Sequence, residues 1–308
     1  MARAKISIIG AGKVGSTLAQ LLAYKELGDI VLWNRTAGKA QGVALDIEES
    51  ALIEQFDLKI KGTGDYSDIK DSDVVIITAG VPRKEGMSRE DLLAVNAEVI
   101  KSTCAQVKRY APNCVLIVMT NPLDSMVYLA KKVTGFPKNR VVGQAGVLDS
   151  SRFSYFVATE LGRAVEQVSS VVLGGHGDFM VPLPRYTSVA GIPVTELMQK
   201  KKIDALVART RDAGAEIIKL EKDSSAFYAP DYSLVRMVES ILKDKKMILP
   251  CAAYLDGEYG IKGIFMGVPV VLGAKGAEKI VELELNKGEK RLLMESAAKV
   301  KDSLKQLM

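Results

Sequence analysis

Imidazole is almost missing from this chain: His176 is the only histidine in 308 residues. Sulfur is sparse too. Cys104, Cys114 and Cys251 stand far apart with no C-x-x-C pair, which argues against a disulfide framework and, with a single histidine, against a structural zinc. No metal is expected. Aromatic residues make up 6% of the chain and nowhere alternate with a run of basic ones, so a nucleic-acid groove has no footing. The 42 basic and 37 acidic residues leave a net charge of +5. Spread along the chain, they read as a mixed solvated surface, compatible with a local cationic pocket for an acidic metabolite. No apolar run is long enough to span a bilayer, and Met1–Lys5 passes straight into a strand without room for a signal peptide. The expectation is a soluble, cytoplasmic protein of a reducing compartment, without membrane or nucleic-acid partners.

What is present is apolar, 48% of the chain, enough for two domains or one large α/β unit. The strand Ile6–Ile9 runs into Gly10-Ala11-Gly12-Lys13-Val14-Gly15, and Ser16–Leu27 reads as a helix closed by Gly28. Strand, G-x-G-x-x-G and helix together suit a dinucleotide pyrophosphate. The first glycine makes the tight turn and the second lets backbone N–H groups approach the phosphate. The third packs helix on strand, and the helix N-terminus faces the anion. A second strand, Ile30–Trp33, ends at Asn34, 19 positions after Gly15. NAD sites usually carry an acid there, which holds the ribose hydroxyls and repels a 2′-phosphate. Asn34 lacks the repelling charge and Arg35 can pair with a phosphate, which tilts the choice toward NADP or dual use. The alternative is that Arg35 is an exposed turn residue.

Two further strands, Val74–Thr78 and Val115–Thr120, are apolar on both faces, with helix-period sequence between them. The pattern predicts an α/β fold: an N-terminal Rossmann-type parallel sheet with helices on both faces over residues 1–145, then an α+β substrate-binding domain over residues 146–308. Ligands in such sheets sit at the strands' carboxyl ends. Those ends are Gly10–Gly15, Ala79-Gly80-Val81-Pro82 and Thr120-Asn121-Pro122. The stretch from Gly80 to Arg89 is a charged loop bearing Arg83 and Arg89, with Ser88 and Asp91 marking a helix start at Arg89. It reads either as a lid over an anionic substrate or as a solvated basic loop.

In the second half, Leu148–Phe153 opens a helix expected to stop at Gly162, with Asp149 at the N-cap position and Arg152 three residues on. Val168–Val172 reads as a strand that exits into Leu173-Gly174-Gly175-His176-Gly177-Asp178. His176 is either a group that exchanges a proton near neutral pH or a satisfied histidine in a glycine turn. Helices follow over Ile203–Leu220 and from Pro230 toward Leu242, then strands at Met247–Leu255 and Gly263–Leu272, and a last amphipathic helix from Lys287.

In this order the motifs resemble the lactate/malate dehydrogenase family along the whole chain, most closely its lactate-dehydrogenase-like malate dehydrogenases of archaea and bacteria. The resemblance rests on Gly10–Gly15, the loop Val81–Arg89, Thr120-Asn121-Pro122-Leu123-Asp124, Leu148–Phe153 and Gly175-His176-Gly177-Asp178. It implies a reversible hydride transfer between (S)-malate or oxaloacetate and NAD or NADP, as in the tricarboxylic acid cycle. His176 would be the general base and Asp149 would orient it. Arg152 would clamp the C1 carboxylate, Arg89 would polarise the carbonyl oxygen, and Asn121 would hydrogen-bond in the same pocket. Implied cofactor contacts are Gly10, Gly12, Lys13, Val14, Gly15, Asn34, Arg35, Thr78, Gly80, Asn96, Thr120 and Asn121. Arg83 stands where lactate enzymes have glutamine and malate enzymes arginine, so a dicarboxylate is the expected substrate. The family also implies a homodimer or homotetramer.

Gly175, where relatives commonly have glutamate, is expected to change the surroundings of the histidine without removing catalysis. Other 2-hydroxy acids, lactate among them, and a non-catalytic dinucleotide-binding protein are the alternatives. A metal-dependent NAD glycosidase lacks its His/Cys ligands here.

Overall fold

The alternation of apolar strands with helix-period segments becomes a nine-stranded sheet in the computed structural model of the chain, which describes residues 3–81, 89–222 and 225–307. The first half runs β1 (Lys5–Ile9), α1 (Lys13–Tyr24), β2 (Asp29–Trp33), α2 (Ala37–Glu49), α3 (Ala51–Glu54), β3 (Ile60–Thr63), β4 (Val74–Ile77), α4 (Arg89–Tyr110), β5 (Val115–Val118), α5 (Leu123–Thr134) and β6 (Val141–Gly143). These strands lie parallel in the order β3-β2-β1-β4-β5-β6, so the chain winds outward from β1 in both directions. β1, β4 and β5 are neighbours, which brings the three strand ends singled out in the sequence side by side.

Side-chain alternation explains why these strands read as unbroken apolar runs. Ile6, Ile8, Ile76 and Ile117 face a layer that includes Leu18 and Leu22 of α1. Ile9, Val75, Ile77, Leu116 and Val118 face Ile100 and Val107 of α4 and Met126 of α5. Both faces are covered. Each such isoleucine or leucine contributes roughly 1.5–3 kcal/mol on burial.

The second half begins with α6 (Gly146–Leu161) and a region of short strands: β7 (Val168–Ser169), β8 (Val172–Leu173), β9 (Val181–Pro182), β10 (Ser188–Val189) and β11 (Ile192–Pro193). Then come α7 (Val194–Leu197), α8 (Lys200–Glu221), α9 (Tyr228–Leu242), β12 (Met247–Asp256), β13 (Lys262–Gly273), β14 (Gly276–Ile280) and α10 (Lys287–Lys305). β12 pairs antiparallel with β6 through Ala252 and Gly143, and β13 and β14 continue outward. The sheet therefore runs without a break past residue 145. Leu234, Val238, Val268 and Leu293 of the second half share one core with Ile6 and Leu18 of the first.

Three local expectations change. α1 starts at Lys13 with Gly12 as its N-cap and ends at Tyr24, not over Ser16–Leu27. The last half of the glycine motif already has helical geometry. Gly28 is not its cap: a Cβ there would lie 2.4 Å from the Ala4 carbonyl oxygen, so this glycine serves a close approach. The single strand expected over Val168–Val172 is two, β7 pairing with β10 and β8 with β9. Ser170, at the break, donates its hydroxyl to the Ser150 carbonyl of α6 (2.8 Å). The helix expected from Arg89 is α4, whereas Ser88 lies outside the described residues.

The three cysteines are free and buried, and burial pushes each thiol up to about 12. No helix among the described residues is long and apolar enough to cross a membrane.

One buried group runs against the pattern. Asp231, in the first turn of α9, is wholly inaccessible. Neither of its carboxylate oxygens has a hydrogen-bond partner among the described residues. Burial alone pushes it up from 3.8 to about 8. The folded chain therefore keeps this proton where the unfolded chain has lost it, and stability drains away as pH rises from about 4 to about 8. Asp231→Asn removes that penalty. Its thermal midpoint should exceed the parent's by a few degrees more at pH 8 than at pH 5, on the order of 2–4 °C per kcal/mol. Equal shifts at the two pH values would contradict the assignment.

Candidate active site

The G-x-G-x-x-G turn is built by close approach. Gly10 has φ +118°, and a Cβ on Gly15 would lie 1.7 Å from the Gly10 carbonyl oxygen, so only glycine lets α1 meet β1 here. A Cβ on Gly12 would meet nothing within 4 Å among the described residues. Space is thus open over the start of α1, which has no side-chain cap to satisfy its first N–H groups. Such a cradle fits a dinucleotide pyrophosphate. Val14 is half-buried in the first turn, and the Lys13 ammonium sits 5.6 Å from the Phe227 ring centroid.

The other strand ends are braced around this turn. Thr78 donates its hydroxyl to the carbonyls of Ile9 and Gly10 (3.2 and 3.1 Å), and Thr120 donates to Ala79 (2.7 Å). Asn96, buried on α4, accepts from Val81 N–H (2.8 Å) and donates to the carbonyls of Val81 and Asn121 (3.1 and 2.7 Å). Its amide is fully engaged with the backbone of two strand-end loops. Gly80 is exposed, and a Cβ there would meet the Thr120 methyl at 2.6 Å. Asn121 is exposed and precedes a cis-proline, Pro122. Asn34 accepts from Ala11 N–H (3.3 Å) and donates to the Thr36 carbonyl (3.1 Å), tying the glycine turn to the exit of β2. Arg35 beside it is exposed and lines an open cleft of about 690 Å³ with Gln41, Thr63, Asp65 and Tyr66.

On the other side stand the titratable groups. Asp149 is not the N-cap of α6: Ala145 holds that position, and Asp149 lies in the first helical turn with its side chain turned inward. Its Oδ2 is 3.0 Å from His176 Nδ1, and its Oδ1 is 3.7 Å from an Arg152 terminal nitrogen. This is no surface salt bridge, since the Asp149 and Arg152 side chains are 3% and 12% exposed. Arg152 Nε is buried with no hydrogen-bond partner among the described residues. Burial lowers the guanidinium's pKa and Asp149 raises it, for a net decrease. A buried guanidinium with unspent donors suits an incoming carboxylate.

Burial pulls the imidazole pKa down, but the charge of Asp149 and its hydrogen bond outweigh it, so His176 is raised above 6.5. Asp124, buried in the first turn of α5, accepts from the His176 backbone N–H through Oδ2 (2.9 Å). Burial pushes Asp124 up to about 7 although the nearby His176 opposes it. Neither Asp124 nor Ser150, whose hydroxyl accepts from Val172 N–H (3.0 Å) just before the histidine turn, was expected to touch this centre. Both lie within motifs singled out above, but these contacts were not legible because the partners lie 52 and 22 residues away. Arg83 lies outside the described residues, and Arg89 begins α4 but its side chain is outside them too.

A glycine turn at the ends of β1, β4 and β5 that fits a dinucleotide, and a part-buried imidazole on a buried carboxylate beside a guanidinium, have the make-up of a dinucleotide-dependent enzyme. The sequence places it further: residues 4–143 match the model of the lactate/malate dehydrogenase NAD-binding domain and residues 146–308 that of the family's alpha/beta C-terminal domain. The chain belongs to the lactate/malate dehydrogenase family. It is 57% identical to malate dehydrogenase 1 of Anaeromyxobacter dehalogenans, over 98% of this chain and 97% of that protein. Among solved structures it is similar to Cryptosporidium parvum malate dehydrogenase, with a TM-score of 0.97 and 43% identity over 99% of both chains. Lactate dehydrogenase of the same organism, complexed with lactic acid and nicotinamide adenine dinucleotide, superposes with a TM-score of 0.96 at 44% identity, over 99% of this chain and 98% of that one. Backbone shape does not separate the two substrates.

The single histidine makes the electrostatics directly measurable. In a proton NMR titration the lone imidazole of the parent should titrate above 6.5. Asp149→Asn removes the charge that favours the imidazolium, so the midpoint should fall. An unchanged midpoint would mean that Asp149 is not its electrostatic partner.

Proposed function

We propose that the protein is a malate dehydrogenase that interconverts (S)-malate and oxaloacetate with His176 as general acid/base. The observation that carries this reading is the contact of His176 with the buried Asp149 carboxylate, with the unspent Arg152 guanidinium beside it. In the oxidative direction His176 takes the C2 hydroxyl proton, and Asp149 holds the ring and stabilises the imidazolium. Arg152 binds the C1 carboxylate in a fork that fixes C2. Arg89 polarises the C2 oxygen as it becomes a carbonyl, and Asn121 hydrogen-bonds in the same pocket. A nicotinamide dinucleotide, when bound, supplies the acceptor for the C2 hydride.

Gly10, Gly12, Lys13, Val14 and Gly15 hold its pyrophosphate in this reading. Thr78, Gly80, Asn96, Thr120 and Asn121 shape the nicotinamide end, with Asn96 and the two threonines acting through the backbone they brace. Asn34 and Arg35 take the adenosine side. Arg35 in its open cleft supports use of NADP alongside NAD, while Asp65 in the same cleft opposes a phosphate.

Arg83 decides the substrate. Enclosing a second carboxylate without a countercharge buries an unpaired anion, and enclosing a monocarboxylate leaves Arg83 unpaired. The malate dehydrogenase names of relatives at 53–57% identity support the same choice. The reading implies a place in the tricarboxylic acid cycle and a cytoplasmic enzyme. A homodimer or homotetramer is supported by Leu45, Leu52 and Ile53, large apolar side chains exposed on α2 and α3.

Initial rates of oxaloacetate and pyruvate reduction, each with NADH and with NADPH, test the proposal. Oxaloacetate should lead pyruvate in kcat/KM by roughly two orders of magnitude, the equivalent of the ~3 kcal/mol an unpaired buried charge costs. Arg83→Gln should collapse that lead. A parent that prefers pyruvate would sink the substrate assignment. NADPH ahead of NADH supports Asn34-Arg35 as the phosphate site, and NADH far ahead makes Arg35 a turn residue.

A further inference from the structure

The histidine turn is held by its backbone from three directions. Gly174 exchanges both of its hydrogen bonds with Gly267 of β13 (2.9 and 3.0 Å). Gly175 N–H donates to Ser296 Oγ of α10 (2.9 Å), and His176 N–H donates to Asp124 Oδ2 of α5 (2.9 Å). Three successive N–H groups are thus fixed by three different elements. Both side-chain acceptors are buried, and α5 and α10 are also joined by the hydroxyls of Ser125, beside Asp124, and Ser303 (2.9 Å). Gly175 makes the seat possible: a Cβ there would stand 2.8 Å from Val300 Cγ2 and 3.2 Å from Asp124 Oδ2. The absence of glutamate at this position is therefore a condition of the mount.

α5 also starts at the strand end that carries Thr120 and Asn121. We propose that Asp124 and Ser296 are positioning residues that mount the His176 backbone on α5 and α10, so that the helix start bordering the nicotinamide pocket also sets where the proton acceptor stands. The inference rests on the reading of His176 as the proton-exchanging group. Asp124 belongs to the stretch matched by the NAD-binding domain model and His176 to the stretch matched by the C-terminal one. Their hydrogen bond registers one module against the other, while Asp149 on α6 bonds the ring itself. Charged groups facing Asp124 are His176 and Asp149, with Arg152 acting on the histidine from α6.

Steady-state oxaloacetate reduction by the full-length enzyme tests the mount through kcat, KM and the pH profile. Asp124→Leu keeps the volume and removes the acceptor, so kcat should fall about 10- to 100-fold, the scale of a sub-ångström to ångström misplacement. KM for oxaloacetate and for the dinucleotide should stay within about twofold, because neither contact is to a ligand. The alkaline limb, where His176 loses its proton, should move to lower pH as the ring drifts from Asp149. Asp124→Asn keeps an acceptor oxygen and should lose only about threefold in kcat. Ser296→Ala, a one-atom deletion that carries the test if Asp124→Leu does not fold, should shift kcat and the limb in the same sense by a smaller amount. If Asp124→Leu and Ser296→Ala match the parent in kcat and pH limb, or Asp124→Asn loses as much as Asp124→Leu, the mount is wrong while the His176 reading stands. A parent that does not reduce oxaloacetate overturns that reading and the mount with it.

Discussion

Burying a carboxylate is costly unless it is paired, and Asp149, 3% exposed, has the imidazole of His176 at 3.0 Å. Much else follows from this contact. It requires the first turn of α6 and the turn after β8 to face each other, which Ser150 and Ser154 secure by bonding to the chain that leads into the histidine. Ser150 Oγ accepts from Val172 N–H at 3.0 Å, and Ser154 and Ser170 share a hydrogen bond at 2.8 Å. It also leaves Arg152 with its charge only partly compensated, 3.7 Å from the other Asp149 oxygen. A guanidinium in that state is attracted to a carboxylate arriving from solvent, because the buried donor loses nothing it already had.

The same contact explains the architecture. The dinucleotide cradle sits at the carboxyl ends of β1, β4 and β5, while the imidazole belongs to the second half of the chain. Hydride and proton have to leave neighbouring atoms of one substrate, so the two halves need a fixed register. The molecule supplies it through one continuous sheet, one shared core, and hydrogen bonds from α5 and α10 to the histidine turn.

Much of this was legible where the chemistry is local in sequence. The G-x-G-x-x-G turn, the Thr120–Asp124 stretch and the histidine turn each carry their meaning within six residues or fewer. The parallel sheet was legible because strands buried on both faces must be apolar throughout. The edge strands β3 and β14 and the three-residue inner strand β6 were not anticipated, being short and partly exposed or ending in glycine. The sequence position of Asp149 suggested a helix cap, and only the arrival of His176, 27 residues later, makes it a buried partner. The contacts of Asp124 and Ser296 with the histidine turn stayed hidden for the same reason, their partners lying 52 and 121 residues away. Asp231 reads as an ordinary acid near a helix N-terminus, where acids are favoured, yet the fold leaves it wholly inaccessible.

The central claim is that one imidazole carries the proton, and the chain has no second histidine to replace it. The most direct measurement is therefore His176→Asn, assayed twice on one preparation: dinucleotide affinity by fluorescence titration, and oxaloacetate reduction at saturation. The account predicts an affinity within about twofold of the parent and a kcat lower by about 10²–10⁴-fold, the range general acid–base catalysis supplies. Turnover within tenfold of the parent, with the dinucleotide still bound, would contradict it.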